Sequence, residues 1–282
     1  MTSITITSAP QLPRPEHPNP IFQRPHWLSL NGSWDFAFDP HNQGEHAHWW
    51  HHPSPVPFER QITVPFPWES PLSGICSPSY RGAAWYRRTI SIPTAWRERR
   101  LHPHIIFGAV DWEARLWVNG LLAGEHQGGY STFDFDLYRF CHNDAPVTVA
   151  LRAYDAADAA TLNGKQVPHW YTYTSGIWQP VWLEARPADY IKSLHLQPSL
   201  AQSHILATTS LFITTSGTFT LSLDSPDHAF PSTRQSFQLS AGETTVTLTI
   251  PIACPHPWSP DDPFLYHITA TLSSNDSDPD RV

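Results

Sequence analysis

Carboxylates two positions apart on a strand share a face, and Asp134 and Asp136 have that spacing. Two acids held together are the raw material of general acid–base chemistry, in which one gives a proton and the other takes one. Here they lie opposite Phe133, Phe135 and Leu137 and read as a solvated strand face. Asp155 and Asp158 sit in a loop after a strand, and Asp111 and Glu113 flank Trp112 near a turn. No catalytic residue is assigned from these pairs. Among the 17 histidines, His46, His48, His51 and His52 cluster around Trp49-Trp50. Imidazoles so spaced can ligate a metal. Yet Pro53, Pro55 and Pro57 indicate a floppy loop, Glu45 is the only acid close by, and no cysteine joins the set. No metal and no cofactor is expected. A Ser-His-Asp triad lacks its Gly-x-Ser-x-Gly elbow.

The elements that would position such groups are strands. Trp34, Phe36 and Phe38 alternate with Asp35 and Ala37, and Tyr86, Arg88, Ile90 and Ile92 alternate with Trp85, Arg87, Thr89 and Ser91. The run 114–118 meets Asn119-Gly120 and resumes as Leu121-Leu-Ala123, a hairpin signal because both turn residues must take positive φ. Alternation recurs at Phe133/Phe135/Leu137, at Val147/Val149/Leu151 and from Ile177 to Glu184. No segment before residue 187 keeps a helical period over three turns. Beyond Arg186-Pro187 the texture turns Ser/Thr-rich. Strands are predicted there at 190–196, 205–214, 218–223, 235–239, 244–250 and 264–272, which fits an immunoglobulin-like sandwich. The stretch from Ser273 to Val282 is polar and is expected to add no closing strand.

Composition agrees. The chain has 282 residues, comfortable for two sandwiches, and 40% of them are hydrophobic, enough for a core in each. The 29 prolines against 13 glycines disfavour long helices. A formal charge of −8 argues against nucleic acid, whose binding needs a basic face. Met1 to Pro10 has neither a basic start nor an apolar run, and no stretch approaches the roughly 20 apolar residues of a membrane span. Cys76, Cys141 and Cys254 lack metal-ligand spacing and read as thiols in a reducing compartment. A cytoplasmic location is expected, with no membrane partner.

Several segments, in order, resemble the N-terminal sugar-binding domain of glycoside hydrolase family 2, which contains β-galactosidases, β-glucuronidases and β-mannosidases. They are Ser29-Leu-Asn-Gly-Ser-Trp-Asp-Phe36, Val64-Pro-Phe-Pro-Trp-Glu69, Trp85-Tyr-Arg-Arg88 and Phe107-Gly-Ala-Val-Asp111. Then follow Trp117-Val-Asn-Gly120, Gly124-Glu-His-Gln-Gly-Gly-Tyr130, Phe133-Asp-Phe-Asp136 and Ser175-Gly-Ile-Trp-Gln-Pro-Val-Trp-Leu-Glu184. Each piece is weak alone; their order and spacing make the set specific. Trp258-Ser-Pro-Asp-Asp-Pro-Phe-Leu-Tyr266 is similar to the immunoglobulin-like domain that comes next in that family. Composition gives an all-β chain, and residues 1–20, with five prolines and little that could pack, read as an extended arm; the resemblance then implies a jelly-roll sugar-binding domain over 21–187 and an immunoglobulin-like β-sandwich over 188–282. It also implies that the two catalytic glutamates, which retaining hydrolysis holds about 5–5.5 Å apart, belong to a (β/α)8 barrel that these residues do not supply.

In family members the first module lends loops to the rim of the barrel's sugar site. By position, the matching loops are Pro67-Trp68-Glu69 and the segment 163–170. Trp68 and Trp170 would stack on the C–H face of a sugar, Glu69 would accept hydroxyl hydrogen bonds, and Lys165 and Gln166 would supply donors and an acceptor. Trp34, Trp85, Trp117 and Trp182 read as core filler. Some β-galactosidases of the family place an aspartate just upstream of the matching Ser-Gly-Ile turn, where it helps to hold galactose and sodium. Here no acid occurs between Asp158 and Glu184, so neither ligand is assigned. The chain is therefore expected to be the non-catalytic front part of a retaining β-glycosidase, with a β-glycoside as ligand. Its expected partner is its own barrel or a second copy meeting an open sheet edge. The alternatives are a free-standing carbohydrate-binding module and an assembly module without a ligand.

Overall fold

The computed structural model describes residues 12–51, 58–141, 145–156, 171–274 and 278–282. The chain is all-β and divides into two units. Within the described residues the first comprises 12–18, 27–94 and 103–184, and the second 19–26, 95–102 and 185–282. Two short segments that the sequence places in the first module or its arm, 19–26 and 95–102, thus cluster with the second. Residues 12–18 of the expected extended arm lie against the first unit: the Asn31 side-chain amide donates to the carbonyls of Pro13 and Arg14, and the His17 ring meets Trp27 edge-on.

The first unit runs through β1 (Trp27–Ser29), β2 (Gly32–Asp39), β3 (Arg60–Val64), β4 (Gly82–Ile90) and β5 (His102–Phe107). It continues with β6 (Val110–Asp111), β7 (Glu113–Val118), β8 (Leu121–Gln127) and β9 (Phe133–Asp136). β10 (Val147–Asp155), β11 (Gly176–Ile177) and β12 (Val181–Arg186) complete it. A six-stranded sheet has the order β3-β2-β4-β10-β7-β8, and a four-stranded sheet the order β1-β12-β5-β9. The predicted hairpin is present, with Asn119 at φ 49° and Gly120 at φ 82° between β7 and β8. The short helix α1 (Thr94–Glu98) is too brief to show a period in sequence.

The six-stranded sheet is buried on both faces, which simple alternation does not reveal. One face carries Trp34, Phe36, Tyr86, Leu116, Val149 and Leu151 into the core. The other carries Trp85, Trp117 and Ala150, covered by Trp49, Trp50 and Phe58. Trp50 stacks on Trp117 with ring centroids 5.2 Å apart and planes 9° from parallel. Up to His51 the histidine-rich segment is therefore a built cover; His52, Pro53, Pro55 and Pro57 lie outside the described residues. Asp39 fastens the cover by accepting from the backbone N–H of Gln43 (2.8 Å) and Gly44 (2.7 Å). A Cβ on Gly44 would fall 2.3 Å from Trp85 Nε1, so only glycine lets the cover approach.

The second unit contains β13 (Tyr190–Ser199), β14 (His204–Ile213), β15 (Gly217–Asp224), β16 (Thr233–Leu239), β17 (Gly242–Pro251), β18 (Thr269–Ser273) and β19 (Asp280–Arg281). They form sheets β13-β14-β17 and β16-β15-β18-β19 around a core that includes Ile191, Leu211, Phe219, Leu221, Leu248 and Leu272. The last predicted strand starts later than expected, at Thr269. The expected absence of a closing strand is corrected: Asp280–Arg281 pairs with β18, and Ala270 and Val282 exchange backbone hydrogen bonds. Asp280 is 2% exposed and accepts from Arg24 Nε and Nη2, both at 2.8 Å, and from the Ile191 N–H. A polar tail can enter a core when its charge is met by a planar guanidinium fork.

Candidate functional site

Two loops of the first unit meet at a buried polar joint. Pro65 and Pro67 remove backbone donors after β3, so the chain leaves the sheet and turns. Ser70 then caps a single 3-10 turn over Pro71–Ser73. In that loop Trp68 is fully buried, edge-on to Phe38 and Tyr80 with ring centroids 5.8 Å away in both cases. It fills the core and offers no ring face to a sugar, which corrects the expectation of stacking. Glu69, 5% exposed, also points inward. Its Oε1 lies 2.7 Å from Ser175 Oγ, and its Oε2 accepts from the Ser175 N–H at 3.1 Å.

Ser175 joins a third group, since its Oγ also lies 2.7 Å from Asp155 Oδ2 at the end of β10. The sequence places Asp155 in a loop; the strand extends to include it, and residue 155 falls on the same face as Val149, Leu151 and Ala153. Gly176 follows with φ +73°. A Cβ there would come within 2.1 Å of Tyr86 Oη and 2.8 Å of the Trp68 ring. The Ser-Gly-Ile turn is thus pressed onto the aromatic core by a residue that has no side chain. Ile177 donates its N–H to Tyr86 Oη at 3.3 Å.

The electrostatics follow from burial. Desolvation raises the Glu69 pKa to about 7, against the opposing pull of hydrogen bonds from Ser175 and the charge of Arg81, whose Nη1 is 3.9 Å from Oε1. Burial pushes the phenols of Tyr86 and Tyr80 up as well. Arg81 lies over the Tyr173 ring, 3.7 Å from its centroid, and Tyr171 beside it in sequence is exposed. Sequence alone does not single out this cation–aromatic pair, or Asp155, as partners of the joint. Lys165, Gln166 and Trp170 lie outside the described residues.

Glu69 and Asp155 do not form a hydrolytic pair, because the Ser175 hydroxyl fills the space between them where a glycosidic bond would have to sit. Asp158 lies outside the described residues, and the other acids singled out by the sequence have partners of their own. Asp134 Oδ2 is 2.7 Å from His104 Nδ1, and Asp136 Oδ1 accepts from the Tyr138 N–H at 2.7 Å. Glu113 accepts from Arg152 at 2.8 Å. Asp111 is fully buried at the end of β6, paired with Gly176, and the bend at Trp112 separates it from Glu113 at the start of β7. Among the described residues no group of three or more His, Cys, Asp or Glu is placed to hold a metal ion. His48 and His51 pack against Trp50 instead.

Comparison with known families assigns both units. Residues 27–187 match the sugar binding domain of glycosyl hydrolases family 2, and residues 190–282 match a second model of glycosyl hydrolases family 2. The chain belongs to glycosyl hydrolase family 2. It is similar to a β-galactosidase of Thermoanaerobacter pseudethanolicus, 24% identical over 68% of this chain and 26% of that protein. A β-glucuronidase of Paenibacillus borealis is 32% identical over 39% of this chain and 18% of that protein. Among solved structures, Bacteroides uniformis β-glucuronidase superposes with a TM-score of 0.71 at 23% identity, covering 91% of this chain and 31% of that one. Ruminococcus gnavus β-glucuronidase in complex with D-glucuronic acid gives 0.69 at 18% identity, covering 93% and 46%. At these identities the structural likeness speaks for the fold. The chain spans less than a third of the length of those two curated relatives.

Proposed function

We propose that this chain is the non-catalytic front part of a family 2 retaining β-glycosidase, and that it scaffolds the rim of a sugar site completed by a (β/α)8 barrel. The observation that carries this reading is the joint at Ser175. It ties the 67–70 loop and the 171–175 segment to one buried point, and that is what a rim needs if its polar groups are to hold fixed positions. Glu69 acts in the rim as a brace, since Ser175 takes both of its oxygens. Lys165, Gln166 and Trp170 are the residues that reach the sugar in this reading, with Trp170 as its stacking surface. Trp68 supports the rim from the core. The domain limits we adopt are 21–187 and 188–282.

Among the described residues, the engagement of Glu69, Asp155, Asp134, Asp136 and Glu113 with other groups supports the assignment of catalysis to the barrel. Reading the coding sequence beyond codon 282 tests it. An in-frame run of βα units with two glutamates at strand ends is the expected result. A stop codon, with an intact mass equal to that of the 282-residue chain, would contradict it. A free-standing carbohydrate-binding module is the second reading, favoured by the exposed Tyr171 near the stacked Arg81 and Tyr173. It requires calorimetric binding of a β-linked oligosaccharide by this chain alone. We place the protein in the cytoplasm: none of the three cysteines is in a disulfide, which fits a reducing compartment. No helix among the described residues is long and apolar enough to cross a membrane.

A further inference from the structure

The Ser175 hydroxyl has one hydrogen and two carboxylate neighbours. Its Oγ lies 2.7 Å from Glu69 Oε1 and 2.7 Å from Asp155 Oδ2, both hydrogen-bond distances between oxygens. A serine hydroxyl donates once. If both acids were ionised, one of these contacts would set a lone pair against a negative oxygen with no hydrogen between them. All three groups are buried: Glu69 is 5% exposed, and Asp155 and Ser175 are fully enclosed. Water cannot bridge the conflict at that distance. The contact set closes only if one further proton is present.

We infer that Glu69 holds this proton, so that the carboxyl group donates to Ser175 Oγ while Ser175 Oγ donates to Asp155, and that the joint between the two rim loops is a pH-sensitive latch. The hydrogen bonds then balance. Glu69 Oε1 gives its proton to the serine oxygen, Glu69 Oε2 accepts the Ser175 N–H at 3.1 Å, and the serine hydrogen goes to the aspartate. Loss of the proton leaves two like charges on either side of one hydroxyl, and Ser175 must let one acid go.

The surroundings fit Glu69 as the holder. Among the described residues, the charged and titratable groups that face it are Arg81 from the loop before β4, with Nη1 3.9 Å away, Tyr86 from β4, and Asp155 from β10. The hydrogen bonds from Ser175 and, more weakly, the Arg81 charge favour the ionised form, and the Arg81 guanidinium is shared with the Tyr173 ring. Tyr86 is neutral, held so by burial. Desolvation outweighs Arg81 and places the Glu69 pKa at about 7, against 4.5 when exposed. The folded state therefore binds a proton that the unfolded state releases between those values. The stabilisation is fully present below pH 4.5 and is lost as pH rises to about 7.

Two measurements on the 282-residue chain decide the matter. Infrared spectra of the folded protein at about pH 6 are expected to show a protonated carboxyl C=O band that fades with a midpoint near pH 7. Glu69→Gln, which keeps the shape and a donor, removes the band. Urea titrations give the second readout. Glu69's share is about tenfold in the unfolding constant per pH unit and about a hundredfold in all from pH 4.5 to 7, and Glu69→Gln cancels that share. If Glu69→Gln does not fold, folded Ser175→Ala serves instead: the hydroxyl bonded to Glu69 is gone while the burial remains, so the band is expected to persist above the wild-type midpoint of about 7. The inference is overturned by a wild-type protein with no carboxyl band at about pH 6, by a band that Glu69→Gln leaves in place, or by a Ser175→Ala midpoint no higher than that of the wild type. These readouts are independent of any sugar and stand whether or not the rim reading holds.

Discussion

Gly176→Ala tests the packing of the Ser-Gly-Ile turn, and its size follows from two separate costs. The first is conformational. Gly176 has φ +73°, and an L-residue in the left-handed region costs roughly 1–2 kcal/mol. The second is steric. The new Cβ would lie 2.1 Å from Tyr86 Oη and 2.8–2.9 Å from two Trp68 ring carbons, and both side chains are locked in the core. Overpacking of this kind costs about 1–3 kcal/mol. The sum is about 2–5 kcal/mol, a fall in Tm of about 10 °C for a chain of this size. A thermodynamic cycle with Tyr86→Phe separates the terms. Removing the hydroxyl sacrifices the hydrogen bond from the Ile177 N–H, worth about 1 kcal/mol, and relieves the worst clash. Gly176→Ala should then cost about 1–2 kcal/mol less when Tyr86→Phe is already in place, a coupling that urea unfolding of the wild type, the two single variants and the double variant resolves. A cost of Gly176→Ala that Tyr86→Phe leaves unchanged, or one below about 0.5 kcal/mol in the wild type, would refute the reasoning.

Three further outcomes are expected. Asp280→Ala strands the buried Arg24 guanidinium and should destabilise the second unit by about 3–5 kcal/mol in urea unfolding. Trp117→Ala opens a hole under Trp50 and should cost about 3–5 kcal/mol, with loss of near-ultraviolet circular dichroism from the stacked indoles. Trp68→Ala should cost a similar amount in stability, as a core truncation; a variant of wild-type stability would place Trp68 outside the core.

What could be read from sequence was local. Asn119-Gly120 announced its hairpin because two positive φ values admit few residues, and the first five strands of the second unit followed their alternation closely. Trp34, Trp85, Trp117 and Trp182 are buried, as large indoles in sandwiches tend to be. The misses are long-range. Arg24 and Asp280 are separated by 256 positions, and nothing near Asp280 signals a buried acid. The cover formed by Trp49 and Trp50 was hidden because flanking prolines argue for a loop without saying what lies beneath it. Trp68 was placed correctly in a turn, yet a turn does not fix which way a ring points. For the joint, Asp155 reads as a loop residue in sequence, and only the extension of β10 puts it on the face of Val149, Leu151 and Ala153. The meeting with Glu69 required the fold.

At the centre of the account is our proposal that the described residues hold no hydrolytic pair. The most direct test incubates the purified chain with chromogenic β-galactosides and β-glucuronides and follows chromophore release. No turnover above buffer is expected at any chain concentration. Turnover that scales with the chain, persists through repeated purification and falls when one of its own carboxylates is replaced would contradict the account.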